Sequence, residues 1–364
     1  MADDLDDIDA LEAPFPDTPD APMDRILECV AVRCESPDVK TFVLRDTARD
    51  APRFAAGQSM LLTLDIDGER VDRTFSIASA PSTVAGDKAL ELTLKRQPAG
   101  RVTRWLHDEL SPGMHVRSRY PLGVFRLDAM PQGPLALVSA GSGASPLMSM
   151  LRTLARHAPK QDVAWFHAAR RVEDILFADE IATLQARMPK LQASVTLSLP
   201  GPGWFGLRGR VSRRLIAAAM PDFFTREVYC CGPTSFMDDV RRIHAADGAR
   251  HARFHVEHFG APTVSTSPAD RAASDADTDT RFDVTLGDKH FTARAGETVL
   301  MAASRQQVVI SCGCASGICG TCKLHKRSGA VEMHHQGGLS PHDEAKGFIL
   351  ACSSRPLSDL VLDF

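Results

Sequence analysis

The sequence predicts a multidomain protein. An antiparallel β-barrel comes first, then an α/β domain with a doubly wound parallel sheet, then a small cysteine-bearing module. Three observations carry that reading. Residues 23–130 alternate short apolar runs with frequent Gly and Pro, the texture of antiparallel strands. From residue 134 onward, strand-like runs alternate with helix-like ones, the order of a parallel sheet. Residues 261–280 hold no large hydrophobe and read as a linker, which sets residues 281–364 apart as a domain of their own. A chain of 364 residues has room for two or three domains.

In the barrel, the predicted strands are Ile26 to Val32, Thr41 to Leu44, Met60 to Leu64, Arg73 to Ile77, Leu90 to Lys95 and His115 to Ser118. One helix is predicted over Arg101 to Glu109. The second domain, residues 131–260, offers the strands Leu135 to Ser139, Asp162 to His167, Gln192 to Leu197 and Glu227 to Cys231. Each is followed by a helix: Ser145 to Arg156, Ile175 to Arg187, Val211 to Ala219 and Ser235 to Ala246. Met148 and Met150 read as core residues of the first of these. Residues 1–22 carry eight acidic residues, four prolines and no Lys or Arg, the composition of a disordered acidic tail. As a flexible coil the linker spans on the order of 25 Å.

Composition excludes some classes. A net charge of −4 gives no reason to propose nucleic acid. No apolar run approaches the ~20 residues of a membrane span. Nine cysteines without a secretory signal predict a reducing cytoplasm, where thiols ligate metal or sit buried. Cys29, Cys34 and Cys230 read as small buried hydrophobes.

Four other cysteines say more. Cys314, Cys319 and Cys322 stand as C-x4-C-x2-C, and 29 residues separate Cys322 from Cys352. That is the plant-type [2Fe–2S] spacing. Two irons bridged by two sulfides need four thiolates, and a loop punctuated by Gly317 and Gly320 can wrap the cluster with three of them. Zinc would want a second C-x2-C beside Cys319 and Cys322, and none is present. Cys312 cannot start the x4 spacing, so it is predicted to neighbour the loop without being a ligand.

Phosphate-binding signals lie upstream. Arg73-Thr74-Phe75-Ser76 ends a barrel strand, and Gly100-Arg101-Val102-Thr103 opens the barrel helix, whose free amides suit phosphate. Gly141-Ser142-Gly143-Ala144-Ser145-Pro146 follows a strand and opens a helix, although tight turns use Gly anyway. Cys231-Gly232-Pro233 ends the last strand at the edge where ligands of parallel sheets bind. Arg170 and Arg210 are candidate nucleotide contacts or solvated surface residues.

The order of these motifs resembles the ferredoxin–NADP reductase superfamily. Its flavin motif R-x-[YF]-S matches Arg73, Phe75 and Ser76. The resemblance implies that Arg73 binds flavin phosphate with Thr74 beside it, that Phe75 lies against the flavin and that Ser76 faces N5. Gly100, Val102 and Thr103 match a second diphosphate motif and favour FAD, with FMN open. G-x-G-x-x-P and C-G-P-x-x-x-M match Gly141, Gly143, Ser145 and Pro146, then Cys231, Gly232, Pro233 and Met237. Cys231 would lie near nicotinamide C4. Glu257 and Phe259 match an E-x-F segment that reaches the active centre and covers the flavin. The C-terminal module would be an α+β β-grasp ferredoxin domain.

By this resemblance the chain passes electrons from NADH through FAD to the [2Fe–2S] cluster and on to a protein acceptor. Flavin belongs in the middle because it takes two electrons and yields them singly. NADPH stays open, since Arg170 and Arg171 follow the second strand of the nucleotide domain. The acceptor is a Rieske-type oxygenase component or, as the alternative, a hybrid-cluster protein. A redox-sensing or ferredoxin-like interaction module is the reading from another class.

Overall fold

The computed structural model describes residues 20–48, 52–81, 89–246, 253–258, 280–310, 312, 315, 317–318, 320–335 and 337–364. Most of the predicted acidic tail, and all of the predicted linker but Thr280, lie outside the described residues.

Strands β1 (Met23–Ser36), β2 (Val39–Asp46), β3 (Ser59–Ile66), β4 (Glu69–Ser76), β5 (Ala89–Lys95) and β6 (His115–Leu122) form one sheet in the order β4-β3-β6-β1-β2-β5. β1 pairs antiparallel with β2 and β6, and β2 with β5, as the alternating pattern predicts. β1 runs well past its predicted ends, with register slips after Cys29 and after Cys34 that let so long a strand coil. Cys34 was expected to be buried and is exposed, because it sits at the second slip, where the strict alternation of faces breaks. Helix α1 (Arg101–Asp108) buries Val102 and Leu106.

Strands β7 (Leu135–Ala140), β8 (Val163–Ala169), β9 (Leu191–Leu197), β10 (Leu207–Arg208), β11 (Glu227–Gly232) and β12 (Phe254–His258) form the second sheet. Its order is β10-β9-β8-β7-β11-β12 and every pair is parallel. Helices α2 (Ala144–His157) and α3 (Ala178–Arg187) cover one face, packing Leu147, Leu151, Leu154, Ile181 and Leu184 on Leu135, Leu137 and Trp165. Helices α4 (Arg213–Ala219) and α5 (Thr234–Ala246) cover the other, setting Ile216, Phe236, Met237 and Val240 on Val138, Phe166 and Val228. Each such buried side chain contributes about 1.5–3 kcal/mol, so this double sandwich is the main stabilising mass of the domain. Met148 and Met150 are fully buried in it.

Two helices start later than the apolar pattern predicts. α3 begins at Ala178, not Ile175, because Phe177 takes a left-handed conformation with φ 59°. α4 begins at Arg213, not Val211, because Ser212 is its N-cap and accepts the Leu215 amide.

The C-terminal module holds β13 (Arg281–Leu286), β14 (Lys289–Arg294), α6 (Val299–Arg305), β15 (Lys323–Ser328), β16 (Val331–Met333), α7 (Pro341–Ala345), β17 (Phe348–Leu350), β18 (Ser354–Pro356) and β19 (Leu360–Asp363). A five-stranded sheet runs β14-β13-β19-β15-β17, with β13 and β19 parallel and the other pairs antiparallel. β16 and β18 form a separate pair. α6 packs Val299, Ala302 and Ala303 into the core with Val284, Phe291 and Leu324. This is the α+β β-grasp arrangement. Among the described residues no helix is long and apolar enough to cross a membrane.

Candidate active site

Ser76 is the last residue of β4, and Glu257 lies in β12, 181 positions later. The fold brings them together: Ser76 Oγ donates to Glu257 Oε2 at 2.9 Å. Both are buried. Burial pushes the Glu257 carboxyl up to about 8, against the opposing pull of the Ser76 hydrogen bond. At neutral pH this acid therefore keeps its proton.

Glu257 begins a polar row across the sheet. It is in register with Cys231 on β11, Cys231 with Ser139 on β7, and Ser139 with His167 on β8. Residues in register share a face of the sheet. Ser139 Oγ and His167 Nδ1 are 2.8 Å apart. His167 Nε2 has no hydrogen-bond partner among the described residues. Burial pushes the His167 imidazole down to about 4 and the Cys231 thiol upward.

The glycines of this edge have steric reasons. A Cβ on Gly143 would lie 2.2 Å from the Cys231 carbonyl oxygen, so only glycine lets the start of α2 settle on the end of β11. Gly141 takes φ +52°, which turns β7 into the short helical turn before α2. No side chain caps the N-terminus of α2, and the Ala144 amide turns back to Gly141 O and Ser142 O within the preceding turn. Ser145 spends its hydroxyl on the Thr93 carbonyl, at 2.9 Å, and Pro146 is buried. Pro233, exposed at the start of α5, accepts the amides of Phe236 and Met237. Arg170 and Arg210, following β8 and β10, are both exposed.

Arg73 is exposed and gives Nη1 to the Asp72 carbonyl at 2.7 Å. Thr74 Oγ1 is buried and lacks a partner among the described residues, an atom that a bound flavin could satisfy. Phe75 is half-buried. α1 begins at Gly100 without a side-chain cap, and a Cβ there would press on Thr103 Oγ1 at 2.6 Å. The Thr103 hydroxyl is held inside this turn by Gln97 N and Gly100 O, and Val102 faces the core. What the turn offers a phosphate is its backbone amides.

In the C-terminal module Cys322 and Cys352 are buried in one core, with Cys312 packed against it. The Cys322 thiol is pushed up by its contact with Cys312 and then by Cys352. Gly317 and Gly320 take φ +75° and +73°, and a Cβ on either would meet backbone within 3 Å, at His335 and Gly338. The loop between the cysteines thus depends on glycine, and neighbouring Cys thiols are the donors that an iron–sulfur cluster needs. Ile318 of that loop is buried with Leu61 and Leu122. Cys314, Cys319 and Phe259 lie outside the described residues.

Three residues that sequence reading passed over stand close to these groups. His167 was read only as a strand end. Ser149 and Arg152 follow Ser145 on α2 at helical spacing, and both bond the segment just after Ser76. A polar stripe on an otherwise apolar helix is the signal that could have found them.

Comparison with known proteins defines the class. Three family profiles match in order: an oxidoreductase FAD-binding domain over residues 27–127, an oxidoreductase NAD-binding domain over 137–242, and a 2Fe-2S iron–sulfur cluster binding domain over 284–357. The glycine betaine monooxygenase reductase subunit of Pseudomonas aeruginosa is 36% identical over 93% of this chain and 95% of its own. The NADH oxidoreductase HCR of Escherichia coli is 30% identical over 90% and 94%. An intact type IV self-sufficient cytochrome P450 monooxygenase shares the fold over 93% of this chain and 41% of its own, with TM-score 0.62 and 24% identity. The protein is an oxidoreductase that uses FAD, NADH and a [2Fe–2S] cluster for electron transfer. It belongs to the family of flavin and iron–sulfur reductase components within the ferredoxin–NADP reductase superfamily.

Proposed function

We propose that this chain is the reductase component of a two-component oxygenase, handing electrons from NADH to a Rieske-type partner that demethylates an N-methylated ammonium compound. The supporting observation is the end-to-end match to a glycine betaine monooxygenase reductase subunit, at 36% identity against 30% for the NADH oxidoreductase HCR. The flavin, when bound, accepts a hydride and yields single electrons. Arg73, Thr74 and the amides after Gly100 hold its phosphates, and Phe75 packs on it. Gly141, Gly143 and the amide of Ser145 hold the nucleotide pyrophosphate, with Pro146 fixing the turn beside them. Arg170, Arg210 and Pro233 line that site. Cys231 and Gly232 bound the nicotinamide pocket, and the Glu257 carboxyl holds a proton while its Oε2 accepts from Ser76. Cys314, Cys319, Cys322 and Cys352 hold the cluster.

The test is reduction of purified acceptors by the holoprotein and NADH. A Rieske oxygenase component should be reduced rapidly and a hybrid-cluster protein slowly; the reverse order would transfer the assignment to the second acceptor. NADH should show the larger kcat/KM, and parity with NADPH would mean that Arg170 and Arg171 accept a 2′-phosphate.

A further inference from the structure

α2 carries polar side chains at Ser145, Ser149 and Arg152, four and three positions apart, and so on one face. All three reach the flavin-binding domain, Ser145 and Arg152 at strand β5 and Ser149 at the loops around Gly57 and Ser79. Ser145 Oγ donates to Thr93 O at 2.9 Å. Ser149 Oγ donates to Ser79 O at 2.7 Å and accepts from Gly57 N at 3.3 Å. Arg152 Nη1 donates to Ala78 O at 2.9 Å and to Glu91 Oε2 at 2.7 Å. Its Nε and Nη2 grip both oxygens of Glu180 on α3, each at 2.7 Å. The guanidinium lies 5.5 Å from the centre of the Phe177 ring.

These contacts join the two halves of the hydride site. α2 begins directly after the Gly141–Gly143 turn. The carbonyls it grips belong to Ala78 and Ser79, two and three residues beyond Ser76. Ala78 N in turn donates to Glu91 O at 2.7 Å, so Glu91 meets Arg152 through its side chain and Ala78 through its backbone. We propose that Arg152 is a positioning residue that fixes the nucleotide half of the site against the flavin half, and so sets the hydride-transfer distance. Hydride transfer needs its donor and acceptor atoms within near-attack range, where ~1 Å of misplacement costs about a hundredfold in rate. A guanidinium fork with four bonds in two directions is suited to that task, and a lysine cannot reproduce it. The inference rests on the reading of this site as the NADH–flavin site.

The experiment is single-turnover flavin reduction by NADH in the full holoprotein, with NADH and with NADH deuterated at C4. Arg152→Lys should lower the limiting rate about ten- to a hundredfold, change the NADH Kd less than about threefold, and raise the primary isotope effect. Glu91→Gln, which loosens the barrel side only, should move in the same direction. Glu180→Gln, which loosens only the contact with α3, should lower Tm while leaving the limiting rate and isotope effect in place. Transfer from chemically reduced flavin to cytochrome c should be unchanged in all three. Should Arg152→Lys and Glu91→Gln match wild type in limiting rate and isotope effect, the clamp is structural only and the proposal is overturned. A wild-type protein whose flavin NADH cannot reduce would instead remove the reading of the site itself.

Discussion

Two buried groups at the edge of the parallel sheet make an instructive pair. Glu257 and His167 occupy one register row, each bonded to a serine, at 2.9 Å and 2.8 Å. Burial drives both toward their neutral forms. For the acid that means a shift up to about 8, and for the base a shift down to about 4. One group therefore titrates at the edge of the working pH range, whereas the other is neutral throughout it. The same physical cause brings the Glu257 titration to about pH 8 and leaves His167 a neutral hydrogen-bonding group.

The largest expected effect breaks that pair directly. Glu257→Gln should lower the limiting rate of flavin reduction by about a hundredfold, the lower end for a lost acid–base group. It should also erase the pH limb near 8. His167→Asn should leave rate and limb within about threefold of wild type. Stopped-flow reduction across pH 6–9 measures both, and equal losses in the two variants would end the distinction.

Only part of this was legible in the sequence. The cysteine spacing and the order of the glycine turns pointed to three modules and their cofactors, because each motif is local. Ser76 and Glu257 were both found by resemblance, yet their hydrogen bond was not, since it depends on a closure across 181 positions. Arg152 was invisible because a polar position on a helix ordinarily faces water, and here it faces another sheet. The late start of α3 follows from one left-handed residue, Phe177, where apolar periodicity carries no information about φ. Cys34 was misread because a strand register slip cannot be seen in composition.

A second comparison sharpens the pair through its serines. The Ser76 hydrogen bond pulls the Glu257 carboxyl down, so Ser76→Ala should move the alkaline limb of flavin reduction above its wild-type position. Ser139→Ala leaves Nδ1 of His167 buried and without that partner. It should lower stability by about 1–3 kcal/mol with no movement of the limb. Thermal unfolding and the pH–rate profile together separate the two, and a shifted limb in Ser139→Ala would show that the row acts as one network.

The last contrast is in stability against pH, and its two signs are opposite. Folded His167 refuses a proton until about pH 4, while in the unfolded chain it binds one near its ordinary 6.5. Its contribution is complete above 6.5 and is lost as pH falls toward 4. Folded Glu257 keeps its proton up to about pH 8, while unfolded it releases it near its ordinary 4.5. Its contribution is complete below 4.5 and is lost as pH rises toward 8. Tm measured across pH 4–9 should therefore decline more gently on the acid side in His167→Asn, and more gently on the alkaline side in Glu257→Gln. Each variant should flatten one flank and leave the other as it is in wild type. Curves that stay parallel to wild type in both would mean that neither group's protonation is linked to folding, and the contrast between them would rest on the hydrogen bonds alone.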